Sequence, residues 1–397
     1  MEVEITRLND TGEGIALING KTTFIPKTII GDIVDVKIIK EYKNYNYATV
    51  IKYLSHNKEK CDIICPYFNK CGGCQLMGLN YKKQLDYKKE KIINIFKKYV
   101  KVNINPTIKE SNEYYYRNKI TLQVENGNIG LYEYNTNNLI SIDKCYLVSN
   151  NINNLINTIK ELDLTNITKI IIREANSKIM INFIGQINIS TLKEKLSFCT
   201  NSIYLNDKLV FGSNTIIDSL GDYKFNISPK SFFQVNHNQT INLYNQVKTY
   251  LGKNNNEVLD LYCGTGTIGI YVSENCKKIT GIELNKSAVI DAIENVKLNN
   301  LTNVEIKQGD VGSLLDEKNT YDAIIVDPPR SGLDKKTRET LLKIKSNKLI
   351  YISCDPITLA RDINDLKEIY EIIDITLFDM FPNTYHIECV IWMSLKK

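Results

Sequence analysis

Residues 260–269 read Asp-Leu-Tyr-Cys-Gly-Thr-Gly-Thr-Ile-Gly and continue an apolar run that begins at Glu257-Val-Leu. Gly264, Gly266 and Gly269 stand at the G-x-G-x-x-G spacing by which a strand turns tightly into a helix and a nucleoside comes close to the backbone. A plain tight turn meets the same spacing, as do dinucleotide enzymes, so the neighbouring residues decide. Toward the C-terminus, apolar segments alternate with helical ones: KITGIE (278–283), NVEIKQ (303–308), YDAIIVD (321–327), KLIYIS (348–353), YEIIDITLF (370–378) and HIECVIWMSL (386–395). This alternation predicts an α/β fold with a seven-stranded, mostly parallel Rossmann-like sheet over residues 216–397. DMFPNTY (379–385), the link between the last two strands, is too short for a helical crossover, so the last strand is expected to run antiparallel.

The strand ends carry acids. Glu283 closes the second strand, where a carboxylate can accept both ribose hydroxyls, and Asp310 follows the third, within reach of an adenine. Asp327 opens Asp-Pro-Pro-Arg after the fourth strand, at the carboxyl edge where open α/β sheets bind ligands. Any one acid would serve as a helix cap, but acids at all four strand ends, Asp260 included, favour an S-adenosylmethionine site. Cys354, in Ile-Ser-Cys-Asp-Pro, ends the fifth strand at that edge. Glu388, in His-Ile-Glu-Cys, begins the last strand, whose antiparallel course returns its start to the same edge. Cys354, Asp327 and Glu388 are therefore expected on one rim, while alternation sends Cys389 to the opposite face as packing.

That set suits one reaction. Carbon 5 of uracil is a poor nucleophile until a thiolate adds to carbon 6 and makes the ring an enolate, which takes a methyl group from a sulfonium. A base, the role given to Glu388, must then remove the carbon 5 proton so that Cys354 can leave. An ordinary thiol of pKa about 8.5 is only about 3% thiolate at pH 7, so local activation of Cys354 is expected. Cytosine-5 methylation uses the same thiol chemistry, usually with a Pro-Cys nucleophile in the fourth-strand motif, where this chain has Pro-Pro-Arg. A catalytically silent iron-sulfur RNA-binding protein would need neither Cys354 nor Glu388.

Together with SPKSFFQVN (228–236), the motifs DLYCGTGTIG, DPPR, ISCDP and HIEC resemble the uracil-5 RNA methyltransferases over essentially the whole chain. The resemblance implies a class I methyltransferase sheet. It implies adenosylmethionine binding by Gln234, Tyr262, Thr267, Glu283, Asp310 and Asp327, with Cys354 and Glu388 as nucleophile and base and Phe232 near the RNA bases. It also implies that the N-terminal segment is a TRAM module, and favours 23S rRNA as substrate, with tRNA as the alternative.

Residues 1–56 alternate short apolar runs with glycine turns, which predicts a five-stranded barrel of the oligonucleotide-binding type. Residues 57–215 form a central part: a cysteine-rich loop, a helix at 79–100 and then strands with one or two helices. In the helix, Leu85, Ile92, Ile93, Phe96, Tyr99 and Val100 repeat at helical spacing, with Lys82, Lys83, Lys88, Lys89, Lys97 and Lys98 on the other side. Ten cysteines in a chain whose N-terminus, MEVEITRLND, is polar and acidic suggest a cytoplasmic protein that uses thiolates rather than disulfides. The spacing of Cys65, Cys71 and Cys74, with Cys145 far downstream, leaves an iron-sulfur cube, zinc and structural thiols all open. The resemblance implies a 4Fe-4S cluster on these four, with Cys61 competing with Cys65 as first ligand.

Net charge is +5, but residues 58–119 hold fourteen Lys and Arg against six Asp and Glu, an excess of eight. That basic segment suits a phosphate backbone or a solvated helix face. Tyr114, Tyr115, Tyr116, Arg117 and Lys119 set aromatics beside cations, either to hold RNA or as a strand edge. No apolar run nears the roughly 18 residues of a membrane span. The expected partner is RNA, with no membrane, and the expected state a monomer.

Overall fold

The computed structural model describes residues 1–58, 60–315, 319–344 and 346–397. Its largest sheet is built on the strand Asn255–Leu261. On one side lie Cys276–Glu283 and then Val304–Gln308; on the other lie Ala323–Val326, Lys348–Ser353, Glu388–Leu395 and Tyr370–Phe378. Glu388–Leu395 runs antiparallel to both neighbours, as its short preceding link requires. The strands read as continuous apolar runs because both faces are covered. Val258, Ile325, Ile350 and Val390 pack on one face, and Leu259, Ile324, Tyr351 and Cys389 on the other.

An eighth strand, Thr107–Lys109, adds in parallel to the edge strand Tyr370–Phe378. The seven-strand expectation misses it because three residues are too short for a periodic pattern. The contributor comes from the segment expected to belong to the central part, so chain order and spatial grouping part company here. Ala175, Met180 and Tyr204 of the central part likewise sit in the core beneath the large sheet.

The helix Tyr81–Ile95 is capped by the Asn80 side chain, which accepts from the Lys83 N–H at 3.0 Å. It packs Ile92, Ile95, Phe96 and Val100 against the large sheet. Its end, Phe96–Val100, widens into a π turn. That change of pitch moves the last residues out of phase, so Tyr99 is 45% exposed instead of joining the apolar seam.

Lys88 is also not where the spacing puts it. It is 0% exposed, and its ammonium donates to Asp379 Oδ1 at 2.6 Å and to the Phe381 carbonyl at 3.1 Å. Lys82, Lys83, Lys97 and Lys98 remain exposed. Breaking a buried pair by removing one partner costs about 3–5 kcal/mol. Lys88→Ala is therefore expected to lower unfolding stability by about that amount in denaturant titrations. The salt dependence of RNA affinity should respond instead to joint removal of Lys82, Lys83, Lys97 and Lys98.

The N-terminal sheet has six strands, not five: Glu2–Glu4, Ile33–Glu41, Tyr45–Ser55, Lys21–Ile25, Gly14–Ile18 and Arg7–Leu8 in spatial order. The run VEITRL splits because buried Ile5 donates its N–H to the Asp32 carbonyl while Thr6 turns to Ile15. The sheet wraps Ile5, Ala16, Ile18, Ile25, Val34, Val36 and Ala48. The central part is a seven-stranded sheet backed by the helices Asn150–Ile159 and Ile189–Leu196. No described helix is long and apolar enough to cross a membrane.

Candidate active site

The rim is set by register. Ser353 pairs with Cys389 across the antiparallel strands, and the next residues outward on the two segments are Cys354 and Glu388. Val326 pairs with Tyr351 and Leu261 with Val326, which brings Asp327 and Tyr262 to the same edge. Cys389 is fully buried on the opposite face, as alternation requires.

At the glycine turn, Tyr262 (φ 62), Gly264 (φ 55) and Gly266 (φ 78) all lie in the left-handed region. At Gly266 a side chain would also press on Ala292 at 3.3 Å. Buried Asp260 accepts the Gly269 N–H at 2.9 Å, tying the strand end to the helix Thr267–Tyr271. Glu283 accepts from the Gly264 N–H at 3.0 Å and the Asn285 N–H at 2.7 Å, so its carboxylate is held at the turn. Thr267 Oγ1 lies 2.8 Å from the Tyr244 hydroxyl, and the Tyr262 hydroxyl reaches Asp334 Oδ2 at 3.3 Å. Asp310 is exposed, accepts from Ser313 Oγ at 2.7 Å and precedes a short helix at 311–314.

The segment 228–236 is fastened at both ends. Ser231 donates to Asp291 at 2.5 Å. Asn118 donates its N–H to the Val235 carbonyl and its side-chain amide to the Gln234 carbonyl at 3.2 Å. Arg117 is bridged to Asn236, so the central part holds Gln234 half-buried while Phe232, 71% exposed, projects to solvent. Lys119 begins the neighbouring strand, its ammonium lowered to about 8 by burial and by the like charges of Arg173 and Arg117.

The electrostatics of the rim correct one expectation. The Cys354 thiol is pushed up to about 12 by burial, then by Glu388 and Asp327, with Arg330 and a backbone hydrogen bond opposing. The surroundings within the chain thus disfavour the thiolate rather than activating it. Glu388 is 5% exposed, and burial with the nearby Asp327 holds its carboxyl well above the usual range. Burial raises Asp327 and Asp260 to about 7. Arg330, which follows the two prolines, is the residue that the sequence reading quotes without a role. It is the cation acting on both Cys354 and Glu388.

A second residue escapes the sequence reading altogether. Asn383 is fully buried in the loop before Glu388, with φ 66. Its carbonyl accepts the Gln75 and Leu76 N–H groups, and its own N–H donates to Gln84 Oε1 at 2.9 Å. Its side-chain amide donates to the Glu113 carbonyl at 2.8 Å and accepts from Gln84 at 3.1 Å. Three distant segments thereby hold the loop that leads to Glu388. Only the left-handed preference of Asn would have hinted at such a turn.

Cys65, Cys71, Cys74 and Cys145 line one small apolar pocket with Phe68, Met77 and Leu147. Cys61 lies outside it, its thiol donating to the Met77 carbonyl at 3.3 Å. Burial raises the thiols of Cys65, Cys74 and Cys145. Lys27 reaches in from the N-terminal sheet, donating to the Cys71 and Cys74 carbonyls over the Phe68 ring. Among the described residues no group of three or more His, Cys, Asp or Glu is arranged to hold a metal ion. In a four-iron cube each thiolate binds its own corner, so four cysteines around an apolar pocket beside a lysine fit that donor chemistry better than a single ion. Nearby, a cavity of about 770 Å³ opens between the three parts of the chain, lined among others by Tyr47, Arg117, Tyr134, Arg330, Tyr385 and His386.

Residues 312–396 match the family described as tRNA (Uracil-5-)-methyltransferase, residues 242–347 the methyltransferase small domain and residues 1–51 the TRAM domain. The chain is 33% identical to an uncharacterized RNA methyltransferase of Clostridium acetobutylicum, covering 98% of this chain and 96% of that one. An uncharacterized RNA methyltransferase of Clostridium tetani is 34% identical, over 98% and 95%. Among solved structures, the Pyrococcus abyssi tRNA (uracil-54, C5)-methyltransferase in complex with S-adenosyl-L-homocysteine is similar at a TM-score of 0.83. It shares 27% identity, covering 99% of this chain and 100% of that one.

Proposed function

We propose, from the premise that this chain belongs to the S-adenosylmethionine-dependent uracil-5 RNA methyltransferases, that it makes 5-methyluridine through a covalent Cys354 adduct. The observation that carries the mechanism is that Cys354 follows Ser353 and Glu388 precedes Cys389, the cross-strand partner of Ser353, so that Glu388 acts directly on the Cys354 thiol, the arrangement an addition followed by proton removal needs. Bound adenosylmethionine supplies the methyl group and a positive sulfonium. Gln234, Tyr262, Thr267, Glu283, Asp310 and Asp327 are the residues proposed to hold it, Glu283 through the carboxylate fixed at the glycine turn.

Once its proton has passed to solvent, the Cys354 thiolate adds to carbon 6, and the electron pair of the ring double bond moves onto the uracil as an enolate. After carbon 5 is methylated, Glu388 takes the carbon 5 proton, the double bond re-forms and the carbon–sulfur bond breaks to return the thiolate. Burial suits Glu388 to this step, since a carboxylate with a raised pKa is a stronger base once it is ionised. Arg330 offsets negative charge as the thiolate forms.

For the substrate, we propose 23S rRNA, on the resemblance to members that carry both a TRAM module and the cysteine set. A second reading, tRNA, is favoured by the Pyrococcus abyssi structure, which is named for tRNA and matches along its full length. Mapping 5-methyluridine in 23S rRNA and tRNA from a deletion strain tests both. Loss from 23S rRNA supports the first, loss from tRNA alone replaces it with the second, and loss from neither removes the function. The same reading divides the chain into 1–56, 57–215 and 216–397, with Arg117, Lys119 and Phe232 on the RNA side.

Cys65, Cys71, Cys74 and Cys145 are proposed to hold a 4Fe-4S cluster. Anaerobically purified protein is expected to be brown with about four irons per chain. Colourless protein with one zinc per chain would replace the cluster by a zinc site.

A further inference from the structure

The strands Lys119–Glu125 and Ile167–Ala175 of the central sheet pair antiparallel, with Lys119 opposite Arg173, Thr121 opposite Ile171 and Gln123 opposite Lys169. Paired residues project to the same face, so three cations share it with Thr121, Gln123 and Ile171, and these six include no carboxylate. Like charges directly opposite each other destabilise a sheet, and this pair stands beside Arg117 and the segment that presents Phe232.

Arg173 deepens the anomaly. It is 5% exposed, yet no hydrogen bond or ion pair among the described residues reaches its guanidinium, and Nη1 is sealed without a partner. The carboxylate that acts on it, Asp218, is already engaged by His237 Nδ1 at 3.3 Å and by the Ser219 N–H at 2.9 Å. Its cross-strand neighbour on the far side, Met180, offers no acceptor oxygen in its side chain. A buried guanidinium whose Nη1 has no acceptor is costly, and native proteins rarely leave one so; Nε and Nη2 are not sealed and remain open to an incoming acceptor.

We propose that Arg173 and Lys119 form a phosphate clamp that grips one phosphodiester of the RNA beside the base presented to the rim. A planar guanidinium matches two phosphate oxygens and the lysine adds a point charge. Phe232 lies on the segment pinned by Asn118, one residue from Lys119, so it can stack a base next to the gripped phosphate.

The test uses the full-length protein and an oligouridylate, with affinity measured against salt. Each phosphate neutralised on a single strand contributes about 0.7 to the log-log slope. Arg173→Met and Lys119→Met are each expected to flatten the slope by about that amount and to weaken binding about tenfold or more at low salt. Arg173→Lys should keep the slope and recover part of the affinity. Thermal unfolding separates this from a structural role, since removing an unpaired buried cation leaves Arg173→Met as stable as wild type or more so.

Unchanged affinity and slope would overturn the clamp, as would an Arg173→Met chain that unfolds or is clearly destabilised. A third arm measures S-adenosyl-L-homocysteine binding by calorimetry. If that affinity falls while RNA affinity holds, the anion is the carboxylate of the methyl donor and the clamp fails. Because every readout is binding or stability, the outcome is independent of whether Cys354 acts covalently.

Discussion

Cys354→Ala is expected to bind RNA with wild-type affinity and to give neither 5-methyluridine nor a denaturation-resistant complex. The residue directly follows the Ser353–Cys389 pair, just beyond a strand whose residues from Leu349 to Ser353 are buried. Replacing it shortens a half-buried side chain and leaves the core of the sheet untouched. Deleting a nucleophile in enzymes that react covalently costs on the order of 10⁶ in rate, which here means no detectable product. Methylation is read by transfer of labelled methyl groups, and the complex by gel mobility after denaturation. A Cys354→Ala protein that still methylates would end the covalent reading and leave only the family's cofactor chemistry.

Glu388→Gln should fail one step later and in a different way. The thiol and the methyl donor remain in place, and loss of the Glu388 charge does not disfavour the thiolate, so addition and methyl transfer proceed, but the amide cannot accept the carbon 5 proton. Removing a positioned general base slows its step by about 10²–10⁴, so protein joined to already methylated RNA should accumulate as a band that Cys354→Ala lacks. The substitution is nearly isosteric, and burial with the nearby Asp327 already disfavours the charged form of Glu388, so an uncharged amide there adds no new desolvation cost. The fold should therefore be retained. Normal turnover without the band would take the base role away from Glu388.

The two outcomes together depend on geometry that the chain's local patterns already contain. Strand alternation after residue 255, the glycine turn and the short link before the last strand were enough to place Cys354, Asp327 and Glu388 on one edge. They were enough because strand direction and two-residue side-chain alternation are properties of consecutive residues. The buried position of Cys389 follows from the same rule. Motifs at strand ends report a site well for this reason, since the sheet carries them to a common edge whatever the rest of the chain does.

What needed the tertiary structure are the features made by residues far apart in sequence. Lys88 reads as one more exposed lysine until Asp379, 291 residues later, meets it in the core. Asn383 reads as a loop residue until Gln75, Gln84 and Glu113 converge on it. The three-residue strand at 107–109 exists only because the edge of the large sheet has backbone groups to pair. The sequence suggested an activated Cys354, whereas burial and two carboxylates raise its thiol to about 12. Burial and charge at a point depend on everything packed around it, while periodicity and motif spacing depend only on neighbours along the chain. The sequence by itself thus determined the architecture of the large sheet and the edge on which the candidate reacting groups lie, and the tertiary structure decided their surroundings, their supports and the unpaired Arg173.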